Sequence, residues 1–147
     1  MKVVINGAGI AGTALAWWLG RLGHEVLLVE RASAPRTGGF VLNLWGIGYD
    51  ALERMGLLSR LLERQHHADA LQMLDRTGRI RGGYPSNVLL KLAGGRMATL
   101  ARSDIAAAIH ESLDGRVEMR FDDSIAAIVD EGAQVRVDFA RSSSRQV

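Results

Sequence analysis

The chain has 147 residues, 48% of them hydrophobic, with 18 basic and 16 acidic side chains. That is about one domain's length, and the composition is too apolar for a disordered chain and contains no run long enough to be a transmembrane helix. Cysteine is absent, which excludes disulfide staples, thiolate metal sites and a cysteine nucleophile, and the arginines are scattered without the basic stripe of a nucleic-acid binder.

Residues 2–6 (KVVIN) form a short β-branched run that stops at Gly7 and read as a buried strand. From Ile10 to Leu22 the period becomes helical, with Ile10, Ala14 and Trp18 on one stripe widened by Ala11, Leu15, Leu19 and Leu22. Gly23 stops that helix, and residues 25–29 (EVLLV) give a second buried strand. Strand, glycine turn, helix and strand make a βαβ unit with parallel strands. Residues 31–41 read as a loop, 46–55 and 58–64 as two short helices, 69–82 as a hairpin around Arg76-Thr77-Gly78, and 83–95 as irregular. Ser103 or Asp104 is expected to cap a helix running to about Leu113. Residues 116–121, 124–130 and 133–139 read as strands, the last two joined at Asp130-Glu131-Gly132, and the tail from Arg141 is left unassigned. The fold class expected is α/β: a Rossmann-like, three-layer nucleotide-binding domain with a mostly parallel sheet. The start MKVVINGAGI lacks the form of a signal peptide, and the expected compartment is the cytoplasm.

The chemistry-bearing motif is Gly7-Ala8-Gly9-Ile10-Ala11-Gly12, a G-x-G-x-x-G placed where it carries meaning, between a strand and a helix. Gly7 serves the tight turn, Gly9 keeps side-chain atoms away from a pyrophosphate, and Gly12 lets helix and strand approach. The helix start at Ile10 and Ala11 offers free N–H groups and a partial positive charge to phosphate. Glu30 ends the second strand, 18 residues after Gly12, where a carboxylate accepts from both hydroxyls of an adenosine ribose and repels a 2′-phosphate. Other candidates read as structural: Trp17, Trp18 and Trp45 as packing residues, His66-His67 as a solvated helix end with no metal role, and Asp122-Asp123 as a turn.

The segment VVINGAGIAGTALAWWLGRLGHEVLLVER, with Ala16, Gly23 and the pair Glu30-Arg31, resembles the N-terminus of the class A flavoprotein monooxygenases, the p-hydroxybenzoate hydroxylase-like group. RTGGFVLNLWGIGYDALERMGLL resembles the following segment in tetracycline-inactivating and related monooxygenases. LARSDIAAAIHESL is similar to the family's Arg-x-x-Leu helix start, with Ile105 in place of Leu. The resemblance implies FAD as cofactor, with Gly7, Gly9, Ile10, Ala11 and Gly12 at the pyrophosphate, Glu30 at the ribose, Arg31 beside the adenine and Arg102 near the ribityl and phosphate groups. It also places Arg36, Gly38 and Gly39 in a loop near the flavin and Asn43 at a position that is acidic in some relatives. NAD(P)H is the implied reductant and a small aromatic or polycyclic molecule the implied substrate; no nucleic acid, membrane or metal is implied.

Two later family motifs, an Asp-Gly and a Gly-Asp, are absent. The whole chain, residues 1–147, is accordingly expected to be the amino-terminal part of an FAD domain, with 69–98 starting the substrate region. Alone it is expected to hydroxylate nothing, to bind FAD weakly and to self-associate through uncovered apolar surface. Two other readings stand beside this one: an NAD(H)-binding Rossmann oxidoreductase, against which Arg31 and GGFVLNLWG argue, and a non-catalytic remnant.

Overall fold

The computed structural model describes residues 1–35 and 37–147. The chain forms two compact units, Met1–Gly38 with Ile105–Val147, and Gly39–Asp104.

In the first unit the expected βαβ start is present: β1 (Lys2–Asn6), α1 (Ile10–Arg21) and β2 (Glu25–Glu30). β1 and β2 are parallel, in register from Lys2 opposite Glu25 to Asn6 opposite Val29. The Gly7 N–H extends this ladder to the Val29 carbonyl at 2.6 Å. Gly23, at φ +80°, ends α1: its N–H reaches Gly20 and the His24 N–H reaches back to Leu19. This double closure satisfies carbonyls that the helix end leaves open.

The helix presents a different face to the sheet from the one its large apolar residues predict. Thr13, Ala16 and Trp17 are buried, whereas Leu15 and Leu22 are exposed. The reason is close approach. Gly12, Ala16 and Gly20 share one stripe, and a Cβ on Gly12 would lie 1.9 Å from the Gly7 carbonyl oxygen while one on Gly20 would lie 3.3 Å from Val117. Small residues select the contact face here, with Trp17 buried beside them, and Leu15 and Leu22 are turned to solvent. Thr13, a polar residue on that face, is satisfied within the helix by donating to the Gly9 and Ile10 carbonyls.

The structure and the sequence also differ at the start of the next helix, because α5 (Arg102–Glu111) begins one residue before the expected cap. Ser103 and Asp104 therefore lie inside it, and Asp104 sits in the first turn, where a negative charge suits the helix dipole. Strand β7 (Glu118–Phe121) pairs parallel with β2, giving the sheet order β1-β2-β7. Strands β8 (Ile125–Asp130) and β9 (Val135–Phe139) form the expected hairpin, and β10 (Arg145–Gln146), from the unassigned tail, adds to β9. Arg145 pins that tail strand by ion pairs of 2.5 Å to Glu25 and Glu118. Leu27 and Val29 of β2 pack with Val137 and Phe139 of β9, so the antiparallel strands cover one face of the parallel sheet. Val26 and Leu28, equally buried, alternate to the other face, and α1 packs against β1 and β2. This is the three-layer arrangement expected.

Asp122-Asp123 is a turn. Asp122 takes φ +58°, and buried Asp123 accepts the Ser124 N–H at 2.8 Å, the Arg141 N–H at 2.9 Å and the Ser142 hydroxyl. The Ser142 hydroxyl first, then those two N–H groups, hold the Asp123 carboxyl below the usual value of 3.8. A carboxyl whose folded pKa is depressed stabilises the fold above its unfolded pKa and loses that contribution as pH falls through the folded value. Asp123→Asn is therefore expected to lower the melting temperature at neutral pH and to flatten its fall below about pH 3.8, read by thermal melts across pH.

The second unit carries elements that were not expected. β3 (Val41–Trp45) and β6 (Met97–Ala101) form an antiparallel pair, with Asn43 opposite Thr99. Between them lie α2 (Ile47–Arg54), α3 (Leu58–Leu62), the expected hairpin as β4 (Ala70–Leu74) and β5 (Ile80–Pro85), and α4 (Ser86–Leu92) in the stretch read as irregular. Ala98 and Leu100 of β6 are buried together with Leu52, Leu58 and Leu61 of the helices. The hairpin turn is organised by Asp75, which accepts the Thr77 and Arg79 N–H groups at 2.8 and 3.0 Å. Trp45, read as a packing residue, is 51% exposed on β3, whereas Trp17 is buried and meets Trp18 edge to face at 4.7 Å.

Candidate functional site

The glycine turn is assembled by the first unit alone. Gly7 has φ +106°, a conformation that residues with a side chain rarely adopt. Gly12 is demanded by its contact with the Gly7 carbonyl. Gly9 is demanded by neither: its φ is an ordinary −77°, and a Cβ built on it meets nothing within 4 Å. Gly9 is also the N-cap of α1 and offers no side-chain hydrogen bond, so the N–H groups at the helix start, those of Ile10 and Ala11 among them, lack a capping side chain. Open space in front of an uncapped helix terminus is the shape and polarity that a phosphate requires.

Glu30 lies at the end of β2 beside this turn. One carboxylate oxygen accepts the Ala8 N–H and the other the Ala32 N–H, each at 2.9 Å. The carboxylate thus bridges the glycine turn and the chain leaving β2. Ala8 and Ala32 act through backbone N–H groups, which leave no mark in a sequence. Thr13, which ties the Gly9 carbonyl, is signalled only as a polar residue within an apolar helix.

These residues fit the ADP portion of FAD. The middle glycine leaves a cradle that a Cβ would fill, the helix start supplies donors, and the carboxylate supplies acceptors. Of the other predicted residues, Arg31 is exposed immediately after β2. Arg36 lies outside the described residues. Gly39 and Arg102 are neighbours in the second unit: a Cβ on Gly39 would lie 3.9 Å from the Arg102 Cβ, and the Arg102 N–H donates to the Phe40 carbonyl at 3.2 Å. Asn43 accepts the Thr99 hydroxyl at 2.8 Å across the β3–β6 pair. Among the described residues no three or more His, Asp or Glu side chains are grouped to hold a metal ion, and no helix is long and apolar enough to cross a membrane.

A family model for FAD dependent oxidoreductases matches residues 2–140. An uncharacterized protein of Mycobacterium tuberculosis is 37% identical over 152 aligned positions, which take in 98% of this chain and 39% of that protein. The FAD-dependent monooxygenase asL4 of Sarocladium schorii is 35% identical, over 93% of this chain and 33% of its own length. Among solved structures, tetracycline destructase Tet(51) superimposes with a TM-score of 0.77 at 24% identity, over 99% of this chain and 36% of that one. The p-nitrophenol 4-monooxygenase PnpA from Pseudomonas putida gives 0.78 at 22% identity, over 99% and 38%; at these identities the two structures establish the fold. The chain spans two fifths or less of the length of each of these four proteins. The chain belongs to the FAD dependent oxidoreductase family, and the part of that family it matches is the N-terminal FAD-binding portion of the class A monooxygenases.

Proposed function

We propose that the glycine turn and Glu30 bind the ADP portion of FAD and that the chain is the FAD-binding portion of an NAD(P)H-dependent monooxygenase of small aromatic or polycyclic molecules, hydroxylating nothing by itself. One observation carries the binding half of this reading. Gly9 has ordinary backbone angles and open space where its side chain would be, so folding leaves the glycine unexplained and a close-lying pyrophosphate explains it. FAD, when bound and reduced by NAD(P)H, supplies the oxygen chemistry, and the protein supplies placement and exclusion of water. Ile10 and Ala11 donate from the helix start to phosphate oxygens. Glu30 accepts from the ribose hydroxyls while holding the turn through Ala8, and Arg31 lies beside the adenine.

Gly39, Asn43 and Arg102, with Arg36, are proposed as flavin-side residues on the strength of the family resemblance. A guanidinium offers phosphate a planar fork of donors, which suits Arg102 to that task. The substrate class follows from relatives that are named for tetracycline and for p-nitrophenol.

The test is direct. The purified chain is mixed with FAD, freed of unbound cofactor, and its flavin absorbance recorded, with NADH as a competing ligand. Retained flavin supports the reading. A chain shown to be folded by circular dichroism that retains none, or that takes NADH in preference, overturns it.

Glu30→Gln keeps one amide oxygen and loses the charge. Hydrogen bonds to a charged group contribute about 1.5–3 kcal/mol, so ADP affinity is expected to fall about 10- to 150-fold by titration calorimetry. A 2′-phosphorylated ADP analogue is expected to lose less, because the repelling carboxylate is gone.

A further inference from the structure

The first unit holds a small recess toward the opposite end of α1 from the glycine turn, against the connection from α5 to β7. Gly20 and Val117 bring its two sides together: a Cβ on Gly20 would lie 3.3 Å from a Val117 methyl. Trp17 lines the recess and is 5% exposed, and its indole N–H has no hydrogen-bond partner among the described residues. A buried donor left unpaired costs free energy, so the position calls for an acceptor. Arg21 and Arg116 line the same recess. The Arg21 guanidinium stacks on the Trp17 ring, 4.2 Å from its centroid, which leaves the N–H groups at its edge as donors. Neither arginine is ion-paired with a described acid, and no Asp or Glu lines the recess. The ends of the two helices beside it are already closed. The Gly20 and Leu19 carbonyls accept the Gly23 and His24 N–H groups, and the Ile109 carbonyl accepts the Ser112 N–H at 3.0 Å and its hydroxyl at 2.7 Å. Donors thus already occupy the negative poles of both helices.

We propose that this recess is an oxyanion site that takes a phosphate group. Its volume, about 10 Å³, admits one oxygen-sized atom. One phosphate oxygen enters and accepts the Trp17 indole N–H. The other oxygens stay at the mouth and accept from Arg21 and Arg116, whose planar forks of donors match an oxyanion. A water molecule satisfies the indole but leaves both guanidiniums without a counter-charge. A chloride ion brings the charge but offers the two forks a single acceptor atom. The phosphate group is that of free inorganic phosphate or the terminal group of a phosphomonoester.

This proposal does not rest on flavin binding. The isotope-labelled chain is titrated with inorganic phosphate at neutral pH, phosphate replacing chloride at constant ionic strength, and the tryptophan indole N–H signals are followed by two-dimensional NMR. Trp18→Phe and Trp45→Phe assign the Trp17 signal by elimination, since the chain has three tryptophans. The expected result is a saturable shift of the Trp17 signal, larger than that of the other two. Arg21 and Arg116 are both exposed, so Arg21→Gln and Arg116→Gln are expected to leave the fold intact, as circular dichroism checks. Each is expected to weaken phosphate at least about threefold, and the two together about tenfold or more, because exposure and salt discount the full strength of a charged hydrogen bond. Arg76→Gln removes an exposed charge from the hairpin turn of the second unit and is expected to bind like the parent. Gly9→Ala is expected to keep the Trp17 response, which separates this site from phosphate held at the glycine turn. Phenyl phosphate, titrated in parallel, distinguishes the sources: tighter binding than inorganic phosphate assigns the site to a phosphomonoester, equal or weaker binding to the free ion. A Trp17 signal that does not shift, that shifts without saturating, or that responds equally in the double arginine variant overturns the proposal.

Discussion

Gly9→Ala is expected to leave the chain folded and to abolish flavin retention. The added methyl meets no atom of the protein within 4 Å, and the backbone at Gly9 is already in a region open to alanine. The melting temperature should therefore stay within a degree or two of the parent, since a substitution in open space away from the core changes stability by about 0.5 kcal/mol or less. The methyl does stand in the space from which a pyrophosphate approaches the helix start. Holding the phosphate off costs charge-assisted hydrogen bonds of about 1.5–3 kcal/mol each, so two lost bonds weaken binding on the order of 100-fold or more. Flavin absorbance and a thermal melt on one preparation read both effects. Retention equal to the parent would remove Gly9 from the cofactor site.

Gly12→Ala is expected to fail in the opposite order, with stability lost first and flavin as a consequence. Its Cβ would sit 1.9 Å from the Gly7 carbonyl oxygen, 3.1 Å from the Gly7 carbonyl carbon and 3.4 Å from a methyl of Ile5. The first two are backbone atoms of the turn, so no rotamer change relieves the contact. Either α1 moves off β1 or the turn opens, and overpacking of this kind costs about 1–3 kcal/mol and occasionally more. For a domain of this size that is a drop of roughly 3–10 °C in melting temperature. A Gly12→Ala chain as stable as the parent would show that α1 and the turn can separate freely. Together the two variants divide the motif, because Gly9 serves the ligand and Gly12 serves the packing of helix on strand.

The sequence made the first unit's opening legible because each signal there is local. A β-branched run, a glycine turn, a helical period and a second apolar run lie within residues 2–30, and each reports its own backbone. Glu30 could be placed beside the turn for the same reason, since a parallel βαβ unit brings the end of β2 next to the end of β1. The helix face was misread because hydrophobic periodicity weighs large side chains, whereas this contact is made by Gly12, Ala16 and Gly20, whose information is smallness.

Elements of the second unit were hidden for a different reason. VLNLW and MATLA are each five residues long, and they become strands by pairing with each other across more than fifty residues of chain. The helix SNVLLKL has seven residues, too short for two turns of pattern between glycine-rich flanks. The tail strand is held to β9 and by Arg145 reaching Glu25, 120 positions earlier. The sequence by itself determined the family, the fold class and the residues of the glycine turn, because local period and steric need are written in residue types. Only the tertiary structure decided that Glu30 grips the turn through Ala8 and Ala32, which face packs α1, and that β3 pairs with β6. Those outcomes depend on backbone groups and distant partners, which act through position in space and carry no signature in the order of side chains.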